Sequence, residues 1–328
     1  MRPGFILFSA LFIACPSPSG ADAADSHVAA SRPFFRTSVD TVPLAVTVTH
    51  RSGGYVRQLA APDFQVYDNG RLQQISVFDR GTGPLDAALL IDVSGSMFDR
   101  FDLVRAAAKG FIDTLRPDDR AAVIGFQRRL RLLADWTSDH QALERGLRDV
   151  FPGGSTALYT ALYVALAGFE PTRAKDSPIR RQVVIVLTDG RDNGSLVPYE
   201  TVIDTCRRTA VAVYPIRVRE RGPSFAGRLL GRRLDRTPEY ILGNVARESG
   251  GRVFAIDDVR ELARIYQEIA TELANQYVLG FVPLPDGARR SFHTVSVLVP
   301  GIPGALARTR LGYSSGAGDA AATTHRLE

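Results

Sequence analysis

At 328 residues, with 45% hydrophobic and 23% charged residues, the chain has enough apolar material for a full core, which excludes a wholly disordered protein. The formal net charge of +5 is modest and carried almost entirely by Arg, and no zinc-finger, homeodomain or RNA-recognition pattern accompanies it, so nucleic acid is not an expected partner. Two cysteines, Cys15 and Cys206, exclude a disulfide framework.

In chain order, Arg2 and the apolar run Phe5 to Ala14 have the layout of a signal peptide, too short for a permanent membrane span. Ala21-Asp22-Ala23 has the small-x-small form of a cleavage site, which gives residues 1–23 as the leader. A competing reading takes Leu11-Phe12-Ile13-Ala14-Cys15 as a lipobox with Cys15 lipidated, although Phe12 fits that pattern poorly. Both readings predict export, to the periplasm, the cell envelope or the exterior. Residues 24–38 are small, polar and aperiodic, a linker. Residues 39–83 read as an N-terminal β element: Val42 to Thr49 alternates apolar and polar residues, and Phe64 to Tyr67 and Leu72 to Phe78 form a hairpin about Asp68-Asn69-Gly70.

From 84 to 275 strands and helices alternate. Leu85 to Ile91 and Gln182 to Leu187 are continuous apolar runs, as in strands buried on both faces. Arg120 to Phe126, Leu130 to Ala134, Val211 to Val218 and Arg252 to Ala255 are further strands. Helical spacing covers Phe101 to Leu115, His140 to Asp149, Thr156 to Gly168, Pro198 to Thr209, Tyr240 to Glu248 and Val259 to Asn275. Cys206 sits in one of these helices and reads as packing. The rhythm predicts an α/β domain, a doubly wound and mostly parallel sheet of Rossmann-like kind with helices on both faces. The short link Gln127-Arg128-Arg129 makes one edge pair antiparallel. Residues 276–314 return to strands, at Tyr277 to Val282, Phe292 to Val299 and Leu306 to Tyr313, and are expected to join the N-terminal strands in a small β element. The Gly/Ala-rich tail 315–328 is expected to be disordered.

The chemistry concentrates at strand ends. Asp92-Val93-Ser94-Gly95-Ser96-Met97 follows the buried strand Leu85 to Ile91, at the carboxyl edge where open α/β sheets bind ligands. Asp92, Ser94 and Ser96 alternate a carboxylate with two hydroxyls, hard oxygen donors suited to Mg²⁺, Mn²⁺ or Ca²⁺ and less to Zn²⁺. One loop cannot fill an octahedral shell. Thr156, in Gly153-Gly154-Ser155-Thr156 at a helix start where it is also expected to cap, and Asp189, in Thr188-Asp189-Gly190-Arg191-Asp192 after the next buried strand, lie on the same edge. Two carboxylates and three hydroxyls leave a coordination position open, which a partner's Asp or Glu carboxylate can take. Asp192 reads as a brace of its loop.

These three segments, in this order, resemble the metal-ion-dependent adhesion site of von Willebrand factor A domains, over about Pro84 to Asn275. The resemblance implies that Asp92, Ser94, Ser96, Thr156 and Asp189 are the metal-site residues and that the protein binds a protein partner rather than catalysing a reaction. Asp63-Phe64-Gln65-Val66-Tyr67-Asp68-Asn69-Gly70, with Gln74-Ile75 and Phe78, is similar to the element preceding the domain in the bacterial VWFA-related family typical of acidobacteria. Asn275-Gln276-Tyr277-Val278-Leu279-Gly280-Phe281 and Arg310-Leu311-Gly312-Tyr313 are similar to that family's last strands.

Enzymatic readings find less support. No GxSxG stands at Ser94, Ser96 or Ser155, the histidines show no HExxH spacing, and no Walker A or GxGxxG pattern follows a strand. Asp92 as a phosphoryl acceptor beside Mg²⁺ would want a second acid two residues on, where Ser94 stands. A metal that only stabilises the loops of a structural envelope component remains the other alternative. The Arg- and Gly-rich stretch Arg217 to Arg236 reads first as a solvated loop, and second as a basic rim for an acidic partner or lipid headgroups. Membrane association is thus expected through that loop or a lipidated Cys15.

Overall fold

A half-buried strand sends alternate side chains to opposite faces, and Val42–His50 (β1) does so, with Leu44, Val46 and Val48 fully buried. The computed structural model describes residues 41–95, 97, 101–148, 150, 153–169, 180–219, 237–284 and 292–315, all within the compact unit Val39–Glu328. The expected leader 1–23 with Cys15, the linker 24–38, Ser96, positions 220–236 of the basic stretch and the tail from 316 lie outside the described residues. Among the described residues no helix is long and apolar enough to cross a membrane.

Gln65–Asp68 (β2), Arg71–Gln73 (β3) and Ile75–Asp79 (β4) follow β1. Then come Leu85–Asp92 (β5), Phe101–Ile112 (α1), Arg120–Phe126 (β6), Leu130–Thr137 (β7), His140–Arg148 (α2) and Leu158–Ala167 (α3). Arg181–Thr188 (β8), Tyr199–Arg208 (α4), Ala212–Val218 (β9), Pro238–Ser249 (α5), Phe254–Ile256 (β10) and Leu262–Ala274 (α6) complete the alternating region. Tyr277–Phe281 (β11), Phe292–Leu298 (β12), Ala305–Arg308 (β13) and Gly312–Ser314 (β14) end it.

The central sheet has the order β10-β9-β8-β5-β6-β7, parallel throughout except where the tight link after β6 turns β7 back along the edge. β5 and β8 lie in its middle, which is why their sequences are continuous apolar runs. Leu89, Ile91, Ile185 and Leu187 face a core completed by Val104, Phe111, Leu143 and Tyr266 from α1, α2 and α6. Ala88, Leu90, Val184 and Val186 face the opposite way, against Leu158, Leu162, Val202 and Leu242 from α3, α4 and α5. The doubly wound α/β architecture is therefore as read. Cys206 of α4 is fully buried in the second core, and burial pushes its thiol up to about 12, which suits packing and not nucleophilic chemistry.

The flanking strands form two further sheets, β13-β1-β11-β4 and β14-β12-β2-β3, which share a core including Leu44, Val46, Val66, Leu279, Phe281 and Val297. Segments before and after the central region interleave directly: β1 pairs with β11, and β2 with β12. Two strand expectations need correction. Leu72 to Phe78 is not one strand: β3 pairs with β2, the chain breaks at Gln74, and β4 pairs with β11 in the other sheet. Leu306 to Tyr313 likewise divides at Thr309 and Arg310. Arg310 turns inward there and donates to the carbonyls of Thr209 (3.0 Å) and Pro43 (3.0 Å), which carries the chain from one sheet to the other.

Candidate metal centre

β5 ends in Asp92, paired in register with Phe126 of β6, and the Val93 amide still donates to the Phe126 carbonyl at 2.9 Å. The Asp92 side chain is 0% exposed. One carboxylate oxygen accepts the Ser94 amide at 2.9 Å and the other accepts the Thr188 hydroxyl at 2.9 Å. Burial pushes its carboxyl from 3.8 up to about 6; hydrogen bonds from Ser94 and Thr188 pull it back, and the negative charge of Asp189 adds to the upward push. The groups acting on it are thus hydroxyl and amide donors and a second acid, an arrangement that costs free energy when the carboxylate ionises with no cation beside it.

Three loops meet around it. Gly153 donates its amide to the Val93 carbonyl at 2.7 Å, and Gly95 donates to the Gly154 carbonyl at 3.4 Å, which joins the loop after β5 to the approach to α3. The Thr156 amide donates to the Asn193 side-chain oxygen at 2.8 Å while the Asn193 amide donates to the Thr156 carbonyl at 3.0 Å, which joins that approach to the loop after β8. The Thr188–Asp92 bond closes the triangle. Within the last loop the Gly190 amide donates to the Thr188 hydroxyl (3.0 Å) and the Arg191 amide to the Asp189 carboxylate (2.9 Å). Gly190 adopts φ +82°, and a Cβ there would meet Pro238 at 2.7 Å, so the turn needs glycine. Asp192 accepts from the Tyr159 amide (3.3 Å) and the Ser195 hydroxyl (2.5 Å), spanning its own loop and the first turn of α3.

Asp92, Ser94, Thr156 and Asp189 are all buried on this one edge; Ser96 lies outside the described residues. The expectation that Thr156 caps a helix is corrected. α3 starts at Leu158, and Ala157 stands at the cap position with no side-chain bond. The segment is held instead by Asn193 and by the Gln127 carbonyl, which accepts the Ala157 amide at 3.0 Å. Asn193 and Thr188 were given no role on sequence grounds. Thr188 is legible as a hydroxyl inside the Thr-Asp-Gly motif, whereas Asn193 is one more turn residue among several.

The donor set fits a hard divalent cation. Among the described residues no group of three or more His, Cys, Asp or Glu side chains is placed to hold a metal. A cation here would therefore be held by hydroxyl oxygens together with the two carboxylates, donors of the Mg²⁺ or Ca²⁺ kind. The basic stretch shows partial neutralisation where it is described: Arg217 pairs with Glu239, and Arg219 with Asp257 at 3.3 Å.

The family model of the von Willebrand factor type A domain matches residues 87–191. An uncharacterised protein of Synechocystis sp. is 30% identical over 112 residues, which are 33% of this chain and 26% of that protein, so the chain spans about a quarter of the relative's length. Among solved structures, the von Willebrand factor type A protein from Catenulispora acidiphila is similar with a TM-score of 0.46 and 15% identity, over 86% of this chain and 76% of its own. Proximal thread matrix protein 1 from the mussel byssus, with a zinc-occupied metal-ion-dependent adhesion motif, is similar at 0.46 and 24%, over 62% of this chain and 48% of its own. The part of the chain that matches the von Willebrand factor type A domain model thus runs from near the start of β5 to the loop after β8.

Proposed function

We propose that the chain is a metal-dependent protein-binding module of the bacterial cell envelope, in which Asp92, Ser94, Ser96, Thr156 and Asp189 hold a divalent cation, Mg²⁺ in the first instance and Mn²⁺ or Ca²⁺ otherwise. Bound there, the cation would supply a Lewis-acidic position for an Asp or Glu carboxylate of the partner. The chain's own part is positional. Thr188 and the Ser94 amide fix the rotamer of Asp92, and the reciprocal Thr156–Asn193 bonds fix the hydroxyl-bearing loop against the loop of Asp189. Pre-set donors lose little freedom when an ion arrives, which favours affinity. The observation that supports this reading most is Asp92 itself, fully buried beside a second acid with its carboxyl pushed up to about 6. The reading is of recognition and not catalysis, since Ser94 occupies the place where phosphoryl transfer through Asp92 would want an acid. Export and attachment to the envelope complete it.

Titration calorimetry of the purified protein with Mg²⁺, Mn²⁺ and Ca²⁺ tests the centre, with Asp92→Ala as control. Heat of binding that disappears in the variant is expected; indifference to all three ions would overturn the proposal. Capture from envelope extract in Mg²⁺ against a chelator then separates the two roles of a metal. Loss of capture by Asp92→Ala with unchanged melting supports recognition, and a lowered melting temperature without any captured partner supports a purely stabilising ion.

A further inference from the structure

Beside the metal centre lies an open cleft of about 550 Å³, lined by Gln127, Arg128, Arg129, Gly154, Gly194 and Leu196. Its floor is the backbone of the site loops. Gly154 accepts the Gly95 amide, and Gly194 lies so close to Ser155 that a Cβ would stand 3.1 Å from the Ser155 hydroxyl. One wall is the β6–β7 turn, closed by the Gln127 amide donating to the Arg129 carbonyl at 3.1 Å, with Arg128 and Arg129 exposed. Among the described residues neither arginine has a carboxylate partner. At the other end of β6, by contrast, Arg120 and Arg180 both pair with Asp86, and Arg116 pairs with Asp119. Leu196, 93% exposed, also lines the cleft. An apolar side chain so displayed is ordinarily mobile, but its amide donates to the Thr160 hydroxyl (3.0 Å), and Ser195 before it accepts the Thr160 amide (3.0 Å) and donates to Asp192. The loop is thus pinned with the leucine outward.

We infer, on the footing of the metal-centre reading, that this cleft seats an extended acidic segment of a partner protein, with one carboxylate at the metal centre and a second, further along, pairing with Arg128 or Arg129. Charge complementarity chooses the occupant. Two adjacent guanidiniums with no carboxylate partner among the described residues offer forked donors to carboxylates, and Leu196 offers the apolar contact that an exclusively charged peptide would leave unused. A glycine floor leaves the approaching chain room to lie against backbone. Selectivity then belongs to the β6–β7 turn and not to the cation, which takes any carboxylate.

The test uses the full chain, fluorescently labelled, on an array of immobilised nonapeptides with a central Asp and every other position varied, in Mg²⁺ and in chelator. The exposed double charge reversal Arg128→Glu with Arg129→Glu is compared throughout, its fold checked by circular dichroism and its metal binding by calorimetry. The wild type is expected to select a second Asp or Glu at a preferred spacing from the centre. The variant is expected to lose that selection and to bind the selected peptides about tenfold more weakly by anisotropy, with unchanged Mg²⁺ heat. Absence of acidic selection in the wild type, or its persistence in the variant, overturns the inference while leaving the metal centre intact. Acidic selection that depends on the arginines but is the same in chelator and accompanied by no metal heat would sink the metal centre and keep the cleft.

Discussion

Asp92 faces opposite demands with and without a cation. Its carboxyl is pushed from 3.8 to about 6 by burial, so between those values the folded protein keeps a proton that the unfolded chain has released. Stability therefore falls as pH rises through that window. Below it both states are protonated and the group is neutral in its effect; above it the folded state carries a buried charge, at a cost of roughly 3 kcal/mol. Metal-free Asp92→Asn should accordingly melt above the metal-free wild type at about pH 7.5 and level with it at about pH 4, a comparison that scanning calorimetry decides. Cation affinity should run the other way, weakening as pH drops through about 6 because protons compete for the same oxygens. That Asp92, Ser94, Thr156 and Asp189 come together on one edge was legible in the sequence, because alternating Asp and Ser after an apolar strand is unusual as mere capping. Asn193 was not. Its partner Thr156 is 37 positions away, and no local pattern marks such a bond.

At the scale of elements, the loop after β8 has a shape that depends on one backbone conformation. At Gly190, φ +82° and the nearness of Pro238 oppose any side chain. Gly190→Ala should destabilise the protein by about 1–3 kcal/mol, and chemical denaturation should report it with Mg²⁺ affinity reduced in parallel, since Asp189 and Thr188 flank the turn. Stability lost without change in affinity would mean that the loop's two neighbours are positioned independently of it. The same scale explains which strands could be read in advance. β5 and β8 are buried on both faces, so their composition alone announces them. The divisions at Gln74 and at Thr309–Arg310 could not be read, because each half keeps the alternation of the other and differs only in its distant partner. That choice is made by β11 for one and by the carbonyls of Thr209 and Pro43 for the other.

For the molecule as a whole, the join between the central sheet and the flanking sheets runs through Glu272 near the end of α6. It is 2% exposed, accepts the Tyr214 hydroxyl at 2.8 Å, and pairs with Arg308 of β13 and with Arg252 at 3.4 Å. Glu272→Gln would take the counter-charge from Arg308, while Arg252 keeps Glu268 at 3.6 Å, and a loss of roughly 1–3 kcal/mol is expected; a melt indistinguishable from wild type would show the join to be carried by apolar packing instead. The interleaving of early and late strands has a kinetic consequence. The Leu59 amide meets the Tyr277 hydroxyl across 218 positions, and β1 has no neighbour in its sheet until β11 is made. On the ribosome, β1 and β4 must therefore wait unpaired, and the β2–β3 hairpin with one edge open, while the chain up to β11 and β12 is synthesised. Closing so long a loop is entropically expensive unless the intervening chain has already condensed. The central α/β region is thus the scaffold on which the outer sheets assemble, and slow steps in refolding should track its formation, with aggregation through the waiting edges as the competing fate.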